Sequence, residues 1–185
     1  MPDRSIDDLP AVMEGCLRRD RGSQQQLYYR YYGWALRIVY RYVGSYEPSR
    51  DVVHESFVRL FHSFELLQKE EFGTEAMLLL RMRDRFVQSA VRWVQTHSGP
   101  NNKLEGDKWV QPGDWTDSGL TDNPVEAAFH QELVIRLVKL PSNLRMVFNL
   151  LVIDGYAPSQ VTGLLGITKR QLEKYLSQAR SLLRL

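Results

Sequence analysis

The chain has 185 residues, which is enough for one medium-sized domain or two small ones. Its 24 basic and 22 acidic side chains leave a formal net charge of only +2. A nucleic-acid-binding function would therefore have to depend on local basic faces rather than on overall charge. Cys16 is the only cysteine, which excludes a disulfide framework and a cysteine-based metal cluster and favours a small buried apolar group at that position.

The sequence carries no signal for secretion, membrane insertion or metal binding. The start of the chain lacks the basic residues and apolar run of a secretory signal, and no stretch approaches the roughly 20 apolar residues that a membrane span needs. The histidines show no metal-ligand spacing. We therefore expect a cytoplasmic protein with no membrane insertion, no metal and no cofactor.

Apolar residues recur at helical spacing through the first half of the chain. Four helices are predicted there, over 8–20, from Ser23 to Gly44, from about Ser49 to Phe64, and over 75–95. Ser23 and Gln26 have the spacing of a capping box at the start of the second helix, and Gly44 can end that helix.

The fourth predicted helix combines basic and aromatic residues, which are Arg81, Arg83, Arg85, Phe86, Arg92 and Trp93. Arginines bind phosphate, and aromatic faces stack on unpaired bases at about 1–3 kcal/mol per base, so this composition suits single-stranded DNA. The alternative is that Phe86 and Trp93 belong to a hydrophobic core and that the arginines form a solvated stripe.

The composition changes between residues 97 and 124, where Gly, Pro, Asn, Asp and Ser predominate. Such a stretch is typical of a linker, and this one is acidic. We therefore divide the chain into an N-terminal helical domain over 1–96, a flexible linker over 97–123 and a C-terminal helical domain over 124–185. The predicted fold class is all-α, since no segment has the period of a β-strand.

The C-terminal domain begins with a strong helix start at Asn123, Pro124 and Glu126. Asparagine caps the helix, proline stands at the first helical position, and glutamate completes a capping box. Pro141 ends this helix, and Ser142 can cap the next one.

The end of the chain has the pattern of a helix-turn-helix. A short helix from Pro158 to Leu165 is followed by Gly166, which allows the left-handed backbone of a tight turn. Thr168 and Gln171 then form a capping box at the start of the last helix.

The last helix leaves a cationic and polar outer face. Its candidate DNA contacts are Lys169, Arg170, Gln171, Lys174, Tyr175, Gln178 and Arg180. Such a helix can enter a major groove, with its first residues at base edges and later cations at phosphates. The alternative is a helical hairpin with a solvated charged face, but the glycine turn between two amphipathic helices favours the DNA-binding interpretation.

The C-terminal half also contains Leu140-Pro141, Arg145, Val147-Phe148, Gly155-Tyr156, Leu164-Leu165-Gly166-Ile167 and Ala179-Arg180. This pattern resembles region 4 of the sigma-70 family, especially the small extracytoplasmic-function (ECF) type. The resemblance implies recognition of the minus-35 promoter element and contact with the β-flap of RNA polymerase.

Residues 23 to 64 contain a Leu-Tyr-x-x-Tyr start, an Arg-Tyr-Val-Gly sequence and an Asp-Val-Val-x-Glu sequence followed by an apolar helix. In these motifs the segment is similar to sigma region 2. The resemblance implies that the third helix binds the β′ clamp helices of core polymerase, and that the fourth helix with the loop before it melts and holds the minus-ten element. The implied polymerase-binding residues are Asp51, Val52, Glu55 and Arg59, of which the first three are expected on an exposed edge.

The resemblance therefore implies a transcription initiation factor that binds core RNA polymerase and promoter DNA, with an anti-sigma factor as a further candidate partner. One alternative is a conventional helix-turn-helix regulator whose N-terminal half binds a ligand or forms a dimer. Another is a sigma-like protein that binds only other proteins. An enzyme is the least favoured reading, because the sequence shows no nucleophile–base pairing, phosphate-cradling glycine loop or paired catalytic carboxylates.

Overall fold

The computed structural model describes residues 9–64, 75–97 and 132–184, and within these ranges it contains helices and no strand. The prediction of an all-α fold is therefore confirmed. The helices are α1 (Leu9–Leu17), α2 (Arg21–Val43), α3 (Tyr46–His62), α4 (Glu75–His97), α5 (132–138), α6 (Ser142–Phe148), α7 (Pro158–Leu165) and α8 (Lys169–Leu183).

The first four helices form one bundle, in which α2 packs against α1, α3 and α4. Its centre is aromatic and branched, with Leu27, Val39, Val53 and Phe57 almost completely buried. Cys16 is also fully buried, as expected. Burial raises the pKa of its thiol to about 11, so the thiolate form that reacts with oxidants and metals is disfavoured.

The ends of these helices differ from the prediction at two places. The N-cap of α2 is Asp20, whose carboxylate accepts from the Ser23 backbone N–H at 2.7 Å, so the predicted cap at Ser23 is wrong. Helix α3 begins at Tyr46 rather than near Ser49. The end of α2 at Gly44 is confirmed, since this glycine has a left-handed φ of 83°.

The second group of helices surrounds a smaller apolar cluster formed by Leu137, Leu140, Leu144, Phe148, Ala179 and Leu183. Helix α6 continues as a π-helical segment over Asn149–Ile153. Its N-cap is Pro141, and Ser142 is the first helical residue, so the predicted cap at Ser142 is wrong by one position. Proline suits this place because its backbone has no N–H to leave unsatisfied.

The predicted helix-turn-helix is confirmed by α7 and α8. Gly166 ends α7 with a left-handed φ of 65°. At the start of α8 the Thr168 hydroxyl accepts from the Gln171 N–H at 3.2 Å, while the Gln171 side chain accepts from the Thr168 N–H at 2.8 Å. The two residues therefore satisfy each other's backbone donors.

The N-terminal and C-terminal helices pack on each other, mainly through α2 and α6. One continuous apolar cluster includes Val39 and Phe57 from the first bundle and Met146, Leu150 and Val161 from the second group. The predicted linker over 97–123 and the predicted helix start at Asn123 lie outside the described residues, apart from His97 at the end of α4. The described helices include none long and apolar enough to cross a membrane.

Candidate nucleic-acid and polymerase interfaces

Helix α8 presents its cations on one exposed face. Lys169, Arg170, Lys174 and Arg180 are exposed, whereas Leu172 on the opposite face is buried. Among the described residues no ion pair engages these four cations. The face is therefore free to meet phosphates and base edges.

Three other candidate residues of α8 divide by their surroundings. Gln178 is exposed beside the cations. Gln171 is exposed, but its side-chain oxygen already accepts from the Thr168 backbone at the helix start. Tyr175 is half-buried and packs against both apolar clusters, so only part of its ring faces solvent.

The arginines of α4 differ in their exposure and in their contacts with other side chains of the protein. Arg81 and Arg92 are exposed. Arg83 is half-buried, lies 3.4 Å from the Asp84 carboxylate, and stands 6.0 Å from the centre of the Tyr156 ring. Arg85 donates to the Ser63 hydroxyl at 2.6 Å.

The aromatic residues of α4 are less available than the single-stranded DNA interpretation requires. Phe86 is 1% exposed and packs edge-on against Phe57 at 5.1 Å and Trp34 at 6.1 Å between ring centroids. Its predicted role as a base-stacking residue is therefore wrong for this arrangement, because the ring lies inside the bundle core. Trp93 is half-buried and stacks on His97 at 4.6 Å.

The predicted polymerase edge on α3 is exposed at Asp51, Glu55 and Arg59, and the last two form an ion pair at 2.6 Å. Val52 is only 4% exposed, so its predicted place on this edge is wrong.

The burial of Val52 is difficult to predict from the sequence, because the residues beside it on the buried stripe of α3, Ser49 and Ser56, are polar. Each hydroxyl donates to a backbone carbonyl of its own helix, Ser49 to Ser45 and Ser56 to Val52. This satisfies the hydroxyls and allows the whole stripe to be buried.

The apolar residue that does stand on this edge is Val58, which is 54% exposed. It lies three positions after Glu55 and seven after Asp51, so the three residues share one face of α3. That spacing is visible in the sequence, but the Asp-Val-Val-x-Glu pattern ends at Glu55 and does not include Val58.

Another set of residues that the sequence interpretation missed holds the start of α4 on α2. The Glu75 carboxylate accepts from the Tyr31 hydroxyl at 2.6 Å and from Arg30 at 2.9 Å. The hydrogen bond from Tyr31 lowers the pKa of Glu75, with a smaller contribution from Arg30. This contact fixes the first turn of α4 against α2.

Residues 27–89 match the family model described as Sigma-70 region 2. The match covers most of α2, all of α3 and most of α4, and it includes the exposed α3 edge and three of the α4 arginines, Arg81, Arg83 and Arg85, but not Arg92. No curated protein matches the chain. Residues 27–89 of the N-terminal bundle are thus similar to sigma-70 region 2, which supports a sigma-70 family factor with a role in promoter recognition by RNA polymerase.

Proposed function

We propose that this protein is a transcription initiation factor of the ECF type, which binds core RNA polymerase and directs it to particular promoters. The observation that carries the proposal is the presence of a helix-turn-helix with an unpaired cationic face in the same chain as a sigma-70 region 2. The C-terminal helices act as region 4 and the N-terminal bundle as region 2. Polymerase supplies the chemistry.

In this proposal α8 reads the minus-35 element in the major groove. Lys169 and Arg170 stand in its first turn, where a recognition helix contacts base edges, and Lys174 lies one turn further on, near the phosphates. Thr168 and Gln171 support this function indirectly, because their capping box fixes the backbone at the end that would enter the groove.

The N-terminal bundle opens and holds the minus-ten element in the proposal. Its exposed cations on α4, Arg81 and Arg92, would contact phosphates of the displaced strand. Since Phe86 is part of the core, capture of unpaired bases would depend on Trp93 and on the segment over 65–74, which lies outside the described residues.

The exposed face of α3 is the proposed docking surface for the β′ clamp helices. Asp51, Glu55 and Arg59 provide charge and hydrogen bonds, and Val58 provides apolar contact at the same face. Charged groups around a small apolar centre are typical of specific, reversible protein contacts. The proposal also includes contact of the C-terminal helices with the β-flap of polymerase. It places the protein in the cytoplasm, under the control of an anti-sigma factor.

The test is transcription from a library of promoter fragments by core polymerase with and without this protein. We expect specific run-off products only when both are present, and a gel shift of the same fragments that requires core polymerase. A conventional regulator would instead bind its duplex site equally well without polymerase. A protein that binds only other proteins would give no specific transcript on any fragment.

A further inference from the structure

The last turn of α4 carries two aromatic side chains, Trp93 and His97, which together we call the ring stack. Their planes are nearly parallel, at 9°, and the ring centroids lie 4.6 Å apart. This is the stacked geometry that aromatic rings prefer. His97 follows Trp93 by four positions, so one turn of the helix places the imidazole over the indole.

Trp93 is the inner ring of the pair. It is half-buried and packs against the apolar cluster of the N-terminal bundle. Contact with this cluster and with His97 leaves the indole little free face for an unpaired base. Trp93 is therefore better placed to support a second ring than to stack on DNA itself.

Two hydrogen bonds fix the orientation of the imidazole. Its Nδ1 atom lies 2.9 Å from the Trp93 carbonyl oxygen and 2.8 Å from the Thr96 hydroxyl oxygen. A carbonyl oxygen can only accept, so Nδ1 carries a proton and donates. The Thr96 hydroxyl is itself held within 2.9 Å of the Trp93 carbonyl oxygen. The ring thus has a defined position and tautomer before a ligand arrives.

His97 is the outer ring and is exposed. One face of the imidazole is covered by Trp93, so solvent reaches the opposite face and the Nε2 edge. Within the described part of the chain, the hydrogen bonds of this side chain all go through Nδ1. In a neutral imidazole with the proton on Nδ1, the Nε2 atom is an acceptor. His97 therefore offers a flat apolar face and one oriented hydrogen-bond acceptor.

The charges around the ring stack favour an anionic ligand. Residues 85–97 contain two arginines and no acid, and Arg92 is exposed next to Trp93 in the sequence. Helix α7 lies beside this end of α4, since Gln95 donates to the Leu164 carbonyl at 3.2 Å, and α7 contains no charged side chain. A ring face next to a cation, with no acid nearby in either helix, suits a nucleotide, whose base stacks while its phosphate meets the cation.

We propose that the ring stack is a binding site for one unpaired base of DNA, with His97 in contact with the base and Arg92 with a neighbouring phosphate. Histidine is among the side chains on which unpaired bases stack. Trp93 acts through His97, as its support. The match to Sigma-70 region 2 ends at residue 89, so it assigns no function to either ring.

The hydrogen-bonding edge of His97 also predicts which base the site prefers. Adenine presents an exocyclic amino group, which is a donor, where thymine presents a carbonyl oxygen. The Nε2 acceptor therefore favours adenine over thymine. A role of this preference in holding the opened promoter strand rests on the proposed function, whereas binding of the base by the free protein does not.

The test measures binding of the full-length protein to fluorescently labelled oligodeoxyadenylate and oligodeoxythymidylate of about 12 nucleotides. Fluorescence anisotropy in a mildly alkaline buffer, which keeps imidazole neutral, gives both affinities. The variants are His97→Ala, which removes the ring, and His97→Phe, which keeps a stacking face and removes the acceptor. The matched control is His62→Ala, because His62 is likewise an exposed histidine at the last position of a helix.

We expect His97→Ala to weaken binding of oligodeoxyadenylate about tenfold, or about 1.4 kcal/mol, and to weaken binding of oligodeoxythymidylate as well. His97→Phe should keep the affinity for oligodeoxythymidylate. The ratio of the adenylate affinity to the thymidylate affinity should fall about fivefold in this variant, the effect of one hydrogen bond. Comparison of ratios between proteins cancels the difference in stacking within the two oligonucleotides. The control should match the parent protein in both affinities.

Binding by His97→Ala that equals binding by the His62→Ala control would overturn the ring stack as a base site. A ratio that stays the same in His97→Phe would overturn the preference for adenine through Nε2. If both variants behave as expected but the protein never supports run-off transcription, the proposed function fails and the base site stands. If run-off transcription succeeds and His97→Ala binds both oligonucleotides normally, the base site fails and the proposed function stands.

Discussion

Helices α4 and α8 carry similar numbers of cations but use them differently. On α8 a single apolar stripe is buried, and the opposite face keeps Lys169, Arg170 and Lys174 exposed and unpaired among the described residues. On α4 two sides are in contact with the protein, the bundle on one and Tyr156 on another, and Arg83 and Arg85 are engaged by the chain's own groups. A basic helix is therefore a DNA surface only where the fold leaves its cations free.

The largest expected effect tests whether Phe86 belongs to the core. Phe86→Ala should lower the free energy of unfolding by about 3–5 kcal/mol, because it leaves a cavity between Phe57 and Trp34. Urea unfolding measures this change. The control is Val58→Ala on the exposed face of α3, which should change stability by less than about 0.5 kcal/mol. A small effect at Phe86 would restore its interpretation as a DNA-stacking residue.

The second test uses alkaline pH, because the N-terminal bundle buries several tyrosines. Burial raises the pKa of Tyr31 and Tyr42 above the ordinary value of 10.0 and that of Tyr32 to about 12. The folded state keeps these protons at a pH where the unfolded chain loses them. The stability they provide is thus complete below pH 10.0 and is lost as the pH rises toward about 12.

Arg145 changes the pH dependence of stability in the opposite direction, because burial lowers its pKa to about 10. Since it is a single group and the buried tyrosines are several, we expect the tyrosines to dominate. Urea unfolding from about pH 8 to about pH 11 measures the balance. Tyr42→Phe should reduce the alkaline loss, whereas Tyr29→Phe should not, because Tyr29 is 69% exposed. An alkaline loss of stability that is the same in Tyr42→Phe as in the parent protein would show that Tyr42 is not buried as described.

The third test asks whether the exposed cations of α8 contact DNA. Changing Arg170 and Lys174 together to alanine should weaken binding of upstream duplex by the polymerase complex. The slope of log affinity against log salt should fall by about 0.9 for each lost phosphate contact. Arg18→Ala, which removes one exposed cation outside α8, an arginine paired with Glu14, is the control. An unchanged slope would mean that the α8 cations do not touch the DNA backbone.

The fourth test concerns the exposed face of α3, which is separate from the cationic helices α4 and α8. Asp51→Arg should lower affinity for core polymerase about tenfold, or about 1.4 kcal/mol, while the fold survives because Asp51 is exposed. Equilibrium binding to core enzyme measures this change. Glu14→Gln on α1 serves as the control at an exposed acid. Undiminished affinity would remove Asp51 from the docking surface.

The smallest effect separates arginines within α4. Arg92→Gln should reduce binding of single-stranded DNA by a few-fold, since Arg92 is exposed. Arg83→Gln should have less effect, because Arg83 already lies against Asp84 and Tyr156. Fluorescence anisotropy with a labelled oligonucleotide measures both. Equal losses for the two variants would contradict the difference that the structure makes between them.

The local features of the C-terminal helices were predictable from the sequence. The turn at Gly166, the capping box of Thr168 and Gln171, and the buried stripe of α8 each depend on residues within one or two helical turns. Short-range spacing determines such features, so the chain reveals them without its three-dimensional context. The region 2 pattern was also visible, and the match over 27–89 bears it out.

The tertiary structure alone decided the burial of Phe86, Val52 and Arg145. An aromatic ring among arginines can face DNA or the core with the same helical spacing, and the neighbouring helices determine which occurs. Arg145 looked like one more member of a sequence motif, yet its partners are the carbonyls of Val43 and Val138. Every residue has a carbonyl, so the sequence carries no sign of which ones a buried cation will meet; only the packing of distant helix ends determines that.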